Sequence, residues 1–400
     1  MSRPAGSAAR TPSSLWALLA GNFVIGSGVM VVAGTLNELS ASLNVGVATA
    51  GQLITAAALV MCVGAPLLAS VVAGWDRRRL LALALLWYAL GHAVAAAMPD
   101  FGSVLVARML TVIAPAVFTP QAAACVGLLV PPEQRGRAVT FVFLGWSLAS
   151  VLGMPLGALI GGHFGWRAAF LVIALASLLC AGWVWRVLPT GIRPEALSRA
   201  AWGRVLGNPL LMGVVGVTVL QASGQFVLTS YLSPLLRDHL AATPTQIGLV
   251  WAWFGLCGLI GNMLASRYID RLGAGHMVTL CSSLIALGLL LWPLGLGHSW
   301  LAVCLVLTPW GLGCFSTNSA QQARLVGLAP ALAAGSVALN SSAMYTGQAL
   351  GAGSGGWLLA QGATAWIPAA GLAALLLGIG LGLWIERRQR GAAPAASPGA

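Results

Sequence analysis

Charge is what this sequence has least of. Only 7% of its 400 residues are charged, and none of the twenty basic residues is a lysine; all are arginine. A soluble domain carries about 25% charged residues. A chain that is 58% hydrophobic therefore excludes a water-facing globule. Acids are scarcer still: Glu38, Asp76, Asp100, Glu133, Glu195, Asp238, Asp270 and Glu386 are all there are, each near an expected loop or helix end. Paired carboxylates for acid–base chemistry are thus missing, and no cluster of Ser, His and Asp stands in for them. The seven cysteines lie in apolar runs without metal-ligand spacing, which excludes a disulfide framework and a metal centre. Neither an enzyme nor a cofactor or metal is expected.

What is abundant is hydrocarbon. Uncharged runs recur at 15–36, 50–72, 80–98, 109–130, 138–162, 168–185, 209–232, 246–266, 277–297, 300–320, 334–360 and 364–385. Each is near or above the roughly 20 residues that cross about 30 Å of hydrocarbon. The expectation is an all-α membrane protein with twelve transmembrane helices. The first apolar run is longer than a signal-peptide core and reads as an uncleaved first span. The net charge of +12 does not point to nucleic acid. If both termini lie inside, every arginine except Arg108, Arg167 and Arg237 falls in a cytoplasmic segment, which is the positive-inside bias. The arginines set topology, that of a multi-pass protein of a bacterial inner membrane with both termini cytoplasmic.

A glycine pattern is written twice. "GMPLGALIGG" at 153–162 returns as "GQALGAGSGG" at 347–356, and "LLAS" at 67–70 returns as "MLAS" at 263–266. The polar stretch 189–208 lies between the copies. The division that follows is an N-terminal six-helix bundle over 1–188 and a cytoplasmic linker over 189–208. A C-terminal six-helix bundle then covers 209–386, with a disordered cytoplasmic tail over 387–400. The two bundles are expected to be pseudo-symmetric. Glycines four apart form one smooth stripe on a helix, and helices in lipid associate through close backbone approach. Gly153, Gly157 and Gly161 on the fifth span, and Gly347, Gly351 and Gly355 on the eleventh, are therefore packing surfaces. Pro155 removes a backbone donor there and bends the helix.

These features resemble the major facilitator superfamily, most closely its twelve-span bacterial drug and sugar efflux members of the arabinose efflux permease type. "GMPLGALIGGHFGWRAAF" (153–170) is similar to the antiporter motif of the fifth helix, "YLSPLL" (231–236) to the outer end of the seventh, and "NSSAMYTGQALGAGSGG" (340–356) to the eleventh. The family's loop motif after the second helix keeps its basic cluster in Arg77, Arg78 and Arg79, but the acid position falls near Ala73, with Asp76 three residues on. The second copy keeps Asp270, Arg271 and Gly273. The resemblance implies that Arg77, Arg78, Asp270 and Arg271 serve the inner gate; the alternative is that the arginines only anchor loops.

Arg108 matches the family's fourth-helix arginine. A guanidinium at that depth faces an interior or a wet cavity, for coupling or for binding an anionic group, unless its stem snorkels outward. Proton-coupled relatives carry an acid in the first helix, and the matching position here is Val29. His92, inside the third span, is a packing residue or a substitute proton carrier. The resemblance places the cargo site between the halves, with Asn22, Gln121, Gln225, Tyr231, Asn340 and Gln348 as cavity candidates. The function implied is alternating-access export of a small drug-like or sugar-like molecule by a monomer. Proton antiport is one driver; an uncoupled facilitator is the alternative, and a non-transporting sensor or scaffold the more distant one.

Overall fold

The computed structural model describes residues 11–72, 74–131, 135–193, 199–329 and 332–392. Regular structure among them is helical throughout. In chain order the helices are α1 (Thr11–Gly34), α2 (Leu36–Ser42), α3 (Val47–Val71), α4 (Arg77–Ala97), α5 (Phe101–Thr111), α6 (Ile113–Leu129), α7 (Arg135–Leu148), α8 (Met154–Phe164), α9 (Trp166–Val187), α10 (Arg199–Leu206), α11 (Pro209–Thr229), α12 (Leu232–Leu240), α13 (Pro244–Leu272), α14 (Ala274–Leu296), α15 (Trp300–Leu328), α16 (Ala333–Ala360) and α17 (Ile367–Ala392). A π-helical turn, Ala149–Gly153, joins α7 to α8 just before Pro155.

The polar residues between apolar runs start helices. Asp76 accepts from the Arg79 N–H ahead of α4, Asp100 from Ser103 ahead of α5, and Ser299 from Ala302 ahead of α15. Thr243 and Gln246 bond reciprocally at the start of α13. Each cap satisfies donors that the first helical turn leaves open.

Eleven segments of the described chain are long and apolar enough to cross a bilayer. The exception among the expected twelve is 334–360. It forms α16, a helix of 28 residues, but Ser336, Asn340, Ser341, Ser342, Thr346, Gln348 and Ser354 make it too polar to stand among the eleven. The fourth span is also longer than the run 109–130 implies: it covers Phe101–Val126 as α5 and α6, because Arg108 continues the helix instead of ending it.

The glycine stripes do what their spacing implies. A Cβ at Gly153, Gly157 or Gly161 would meet Ser27 or Val31 of α1 or Thr35 just beyond it. One at Gly347, Gly351 or Gly355 would meet the backbone of α11 at Val219, Ser223 or Val227. In both seams four residues advance against four, so α8 lies on α1 as α16 lies on α11. The next glycine of each stripe faces elsewhere: Gly162 meets Pro244 of α13, and Gly356 meets Tyr231 beyond α11 and the Ala48 carbonyl of α3. Tyr88, Phe118, Phe170, Trp251 and Trp310 fill the interior. Leu175, Leu179, Leu290 and Leu305 stand out from the surface, an arrangement that would aggregate in water and that matches acyl chains.

Candidate functional site

Arg108 and His92 meet. Arg108 Nη1 lies 3.3 Å from His92 Nε2, and Nη2 donates to the Val29 carbonyl at 3.1 Å. The Tyr88 hydroxyl donates to the Ile25 carbonyl at 3.0 Å and accepts from Arg108. His92 Nδ1 is 3.0 Å from the Tyr88 carbonyl oxygen. A carbonyl only accepts, so Nδ1 carries the proton and Nε2 offers its lone pair to Arg108. Both ring nitrogens are therefore engaged. The ring also lies edge-on to Tyr88 and Phe170. Arg108 and His92 sit on different helices, sixteen residues apart, and the antiparallel run of α4 and α5 brings them together.

A second polar centre lies between α11, α15 and α16. A narrow cleft is lined by Thr218, Gln221, Gln225, Thr317, Asn318 and Gln321, with Ala222, Cys314 and Met344. Its hydrogen bonds run one way. Gln321 Nε2 donates to the Val214 carbonyl and to Thr218 Oγ1, both at 3.1 Å. Thr218 donates to Asn340 Oδ1 at 2.6 Å, and Asn340 Nδ2 donates to Asn318 Oδ1 at 3.1 Å. Gln221 Nε2 donates to Ser282, whose own proton goes to the Val278 carbonyl. The carbonyls of Val214 and Val278 thus orient the amides of Gln321 and Gln221, and through Thr218 those of Asn340 and Asn318. The side-chain oxygens of Gln221 and Gln321 remain buried without a donor, and such orphaned acceptors favour a ligand or water that brings N–H or O–H groups.

The candidates distribute unevenly around these centres. Gln225 lines the cleft and Asn340 belongs to its relay. Asn22 is occupied between helices, donating to the Val142 carbonyl at 3.2 Å and accepting from Thr119 at 3.0 Å. Tyr231 is buried and donates to the Ala352 carbonyl at 2.9 Å, which makes it a packing residue here. Gln121 and Gln348 are buried, outside both centres. Gln321 and Thr218 were not among the candidates. Gln321 lies just past the end of the run 300–320 and reads as loop, whereas α15 continues to Leu328.

Contacts between residues before 188 and after 209 gather on one face, that of α2. Ser233 donates to the Ala33 carbonyl at 2.8 Å and accepts from Trp251 Nε1 at 3.0 Å. Arg237 pairs with Glu38 at 3.1 Å. Deeper in, Cys62 and Thr346 hydrogen-bond at 2.9 Å.

Among the described residues, the contacts on the opposite face are local. Arg77 donates to the Val72 and Trp75 carbonyls at 3.0 and 2.9 Å, and its backbone N–H to the Ile192 carbonyl. Arg78 stacks on Trp185. Asp76 accepts from the Gly191 N–H. Burial raises its pKa, but the N–H groups of Gly191, Arg79 and Arg78 together outweigh that and hold its carboxyl below the usual range. These contacts fit loop anchoring. Arg271 is exposed; the Asp270 side chain and Ala73 lie outside what is described. A further pair went unnoticed in the sequence: Arg324, placed with the loop arginines, is buried in α15 with Nη2 3.8 Å from Glu386 of α17, and His276 is 4.0 Å from the same carboxylate.

Apolar helices that turn leucine outward and keep a guanidinium and oriented amides within have the build of a multi-pass membrane transporter. The chain belongs to the Major Facilitator Superfamily, whose sequence profile matches residues 18–231 and again 214–399. It is 29% identical to the inner membrane transport protein YdhP of Escherichia coli (strain K12), over 87% of this chain and 89% of that one. It is 30% identical to a probable sugar efflux transporter of Helicobacter pylori, over 83% and 84% of the two chains. Among solved structures it superposes on a D-xylose-proton symporter with a TM-score of 0.75 at 17% identity, covering 94% of this chain and 97% of that one. The protein is thus a membrane-embedded transporter of small molecules and not an enzyme.

Proposed function

We propose that the chain exports a small drug-like or sugar-like molecule across a bacterial inner membrane by alternating access, as a monomer. In this reading it has twelve spans in two six-helix bundles, 1–188 and 209–386, with α16 as the eleventh span and both termini cytoplasmic. The polar residues of α16 are tolerated because it faces the interior: Asn340 is spent in the relay and its glycines lie on α11. The observation that carries alternating access is the gathering of cross-bundle contacts on the α2 face. The arginine bias puts that face outside, so the arrangement is an inward-open state. Export is supported by the antiporter-like stretch 153–170 and by the names of the relatives.

Two drivers remain in play. Proton antiport would use His92 or Glu38 in place of the absent first-helix acid. Uncoupled facilitation is favoured by one observation: no described acid side chain lies mid-span, and both nitrogens of His92 are engaged. The test is uptake of labelled arabinose and chloramphenicol by everted and right-side-out vesicles, with and without a pH gradient. Accumulation in everted vesicles only is expected. Equal behaviour of vesicles with and without the protein overturns the reading.

A further inference from the structure

We propose that Arg108 is the docking point for an oxyanion carried by the cargo, a carboxylate or phosphate group, and that the membrane potential itself expels this anion. The inference rests on the export reading above and goes on to name the charge of the molecule and the force that moves it.

Arg108 is 2% exposed. Its partners, the Val29 carbonyl, His92 Nε2 and the Tyr88 hydroxyl, are all neutral, and its Nε–H has none. The ion pairs among the described residues belong to Arg237, Arg324 and His276. The buried Arg324 thus has Glu386 beside it, while the equally buried Arg108 has no carboxylate. A buried charge without a counter-charge is strongly destabilising, and an intramembrane ionisable group held in that condition is a functional site. An arriving carboxylate or phosphate supplies what is missing, with the geometry a guanidinium favours.

Two absences turn out to be one. The position where the resemblance implies a first-helix acid is Val29, and the Val29 carbonyl is what Arg108 holds at 3.1 Å. An aspartate there would stand next to the guanidinium and cancel its charge. Valine leaves the charge for the cargo. The position also borders the other half of the chain: Val29 is only partly buried, and it packs with the partly buried Tyr345 of α16 in one cluster.

The driving force follows from the sign. A potential of 100 mV, inside negative, is worth about 2.3 kcal/mol per elementary charge, which is roughly a fifty-fold concentration ratio. An anion is expelled by that term alone, so an exporter of anions needs no membrane-embedded proton carrier.

Gluconate, glucitol and glucamine share one carbon skeleton and differ in charge. With purified full-length protein, gluconate should raise the thermal unfolding temperature where glucitol and glucamine do not. In proteoliposomes at equal pH on both sides, a valinomycin-set potential of 100 mV should drive gluconate toward about a fifty-fold ratio. Arg108→Gln should abolish both effects. Val29→Asp, which keeps the arginine, should also abolish the gluconate response and favour glucamine. Gluconate responses absent from the wild type, equal for all three probes, insensitive to potential or intact in Val29→Asp overturn the proposal. If glucitol is carried while gluconate is not, export stands and only the anion inference falls.

Discussion

Arg237, beyond α11, reaches Glu38 of α2, 3.1 Å from nitrogen to oxygen, and ties the two halves of the sequence together on one face. The guanidinium is 39% exposed and the carboxylate 15%. A pair so open to solvent contributes at most about 1 kcal/mol. Glu38→Gln should therefore shift the balance toward opening on that face by up to about fivefold. Labelling of Thr55→Cys by an impermeant maleimide added outside reads this directly. A slower rate than in the parent would refute the gate.

The seam of α16 on α11 is closed to added bulk. A Cβ at Gly351 would come within 2.9 Å of the Val227 backbone nitrogen and as near to other backbone atoms, whereas one at Gly380 meets nothing within 4 Å. Gly351→Ala should cost about 1–3 kcal/mol. Gly380→Ala should be neutral or mildly stabilising, since alanine is the better helix former. Thermal unfolding in detergent separates the two, and equal midpoints would contradict the close-contact account.

Breaking the buried pair in the second bundle should hurt more than removing it. Arg324→Met leaves the Glu386 carboxylate with only His276 near it, at a cost of about 3–5 kcal/mol. Replacing both residues by methionine should recover much of that loss. A double variant less stable than the single one would show that the pair is not the coupling unit.

Asp76 gives a pH signature. Its folded carboxyl titrates below the ordinary value because three N–H groups outweigh its burial. Such a group contributes stability that is fully present above the unfolded value, about 3.9, and is lost as pH falls through the lower folded value. Asp76→Asn should thus melt earlier than the wild type at pH 6, with the gap closing toward pH 3. A gap that persists in acid would assign the loss to packing.

Much of this fold was legible because lipid leaves few choices. Run length identified eleven of the twelve expected spans, and four-residue glycine spacing predicted both seams. The site was less legible. Arg108 was visible as a charge out of place, but its partner His92 lies on another helix and no periodicity links the two. Arg324 and Glu386 looked like loop charges because both sit near the ends of apolar runs. Gln321 was lost for the same reason. Tyr231 and Asn22 were singled out as polar groups in apolar helices, yet a neighbouring carbonyl or hydroxyl satisfies each, and that is decided by tertiary packing. The low hydropathy of α16 comes from polar residues of which Ser336, Asn340, Ser341 and Ser354 find partners within the protein.

The two seams have a mechanical consequence. In each, a helix grips its neighbour through three glycines and turns the fourth toward the other half of the chain: Gly162 to Pro244, Gly356 to the Ala48 carbonyl. The grip and the bearing surface thus belong to one rigid rod. In the alternating-access cycle proposed above, these rods would act as a pair of axles, with small residues at the bearing letting them roll without prising either half apart.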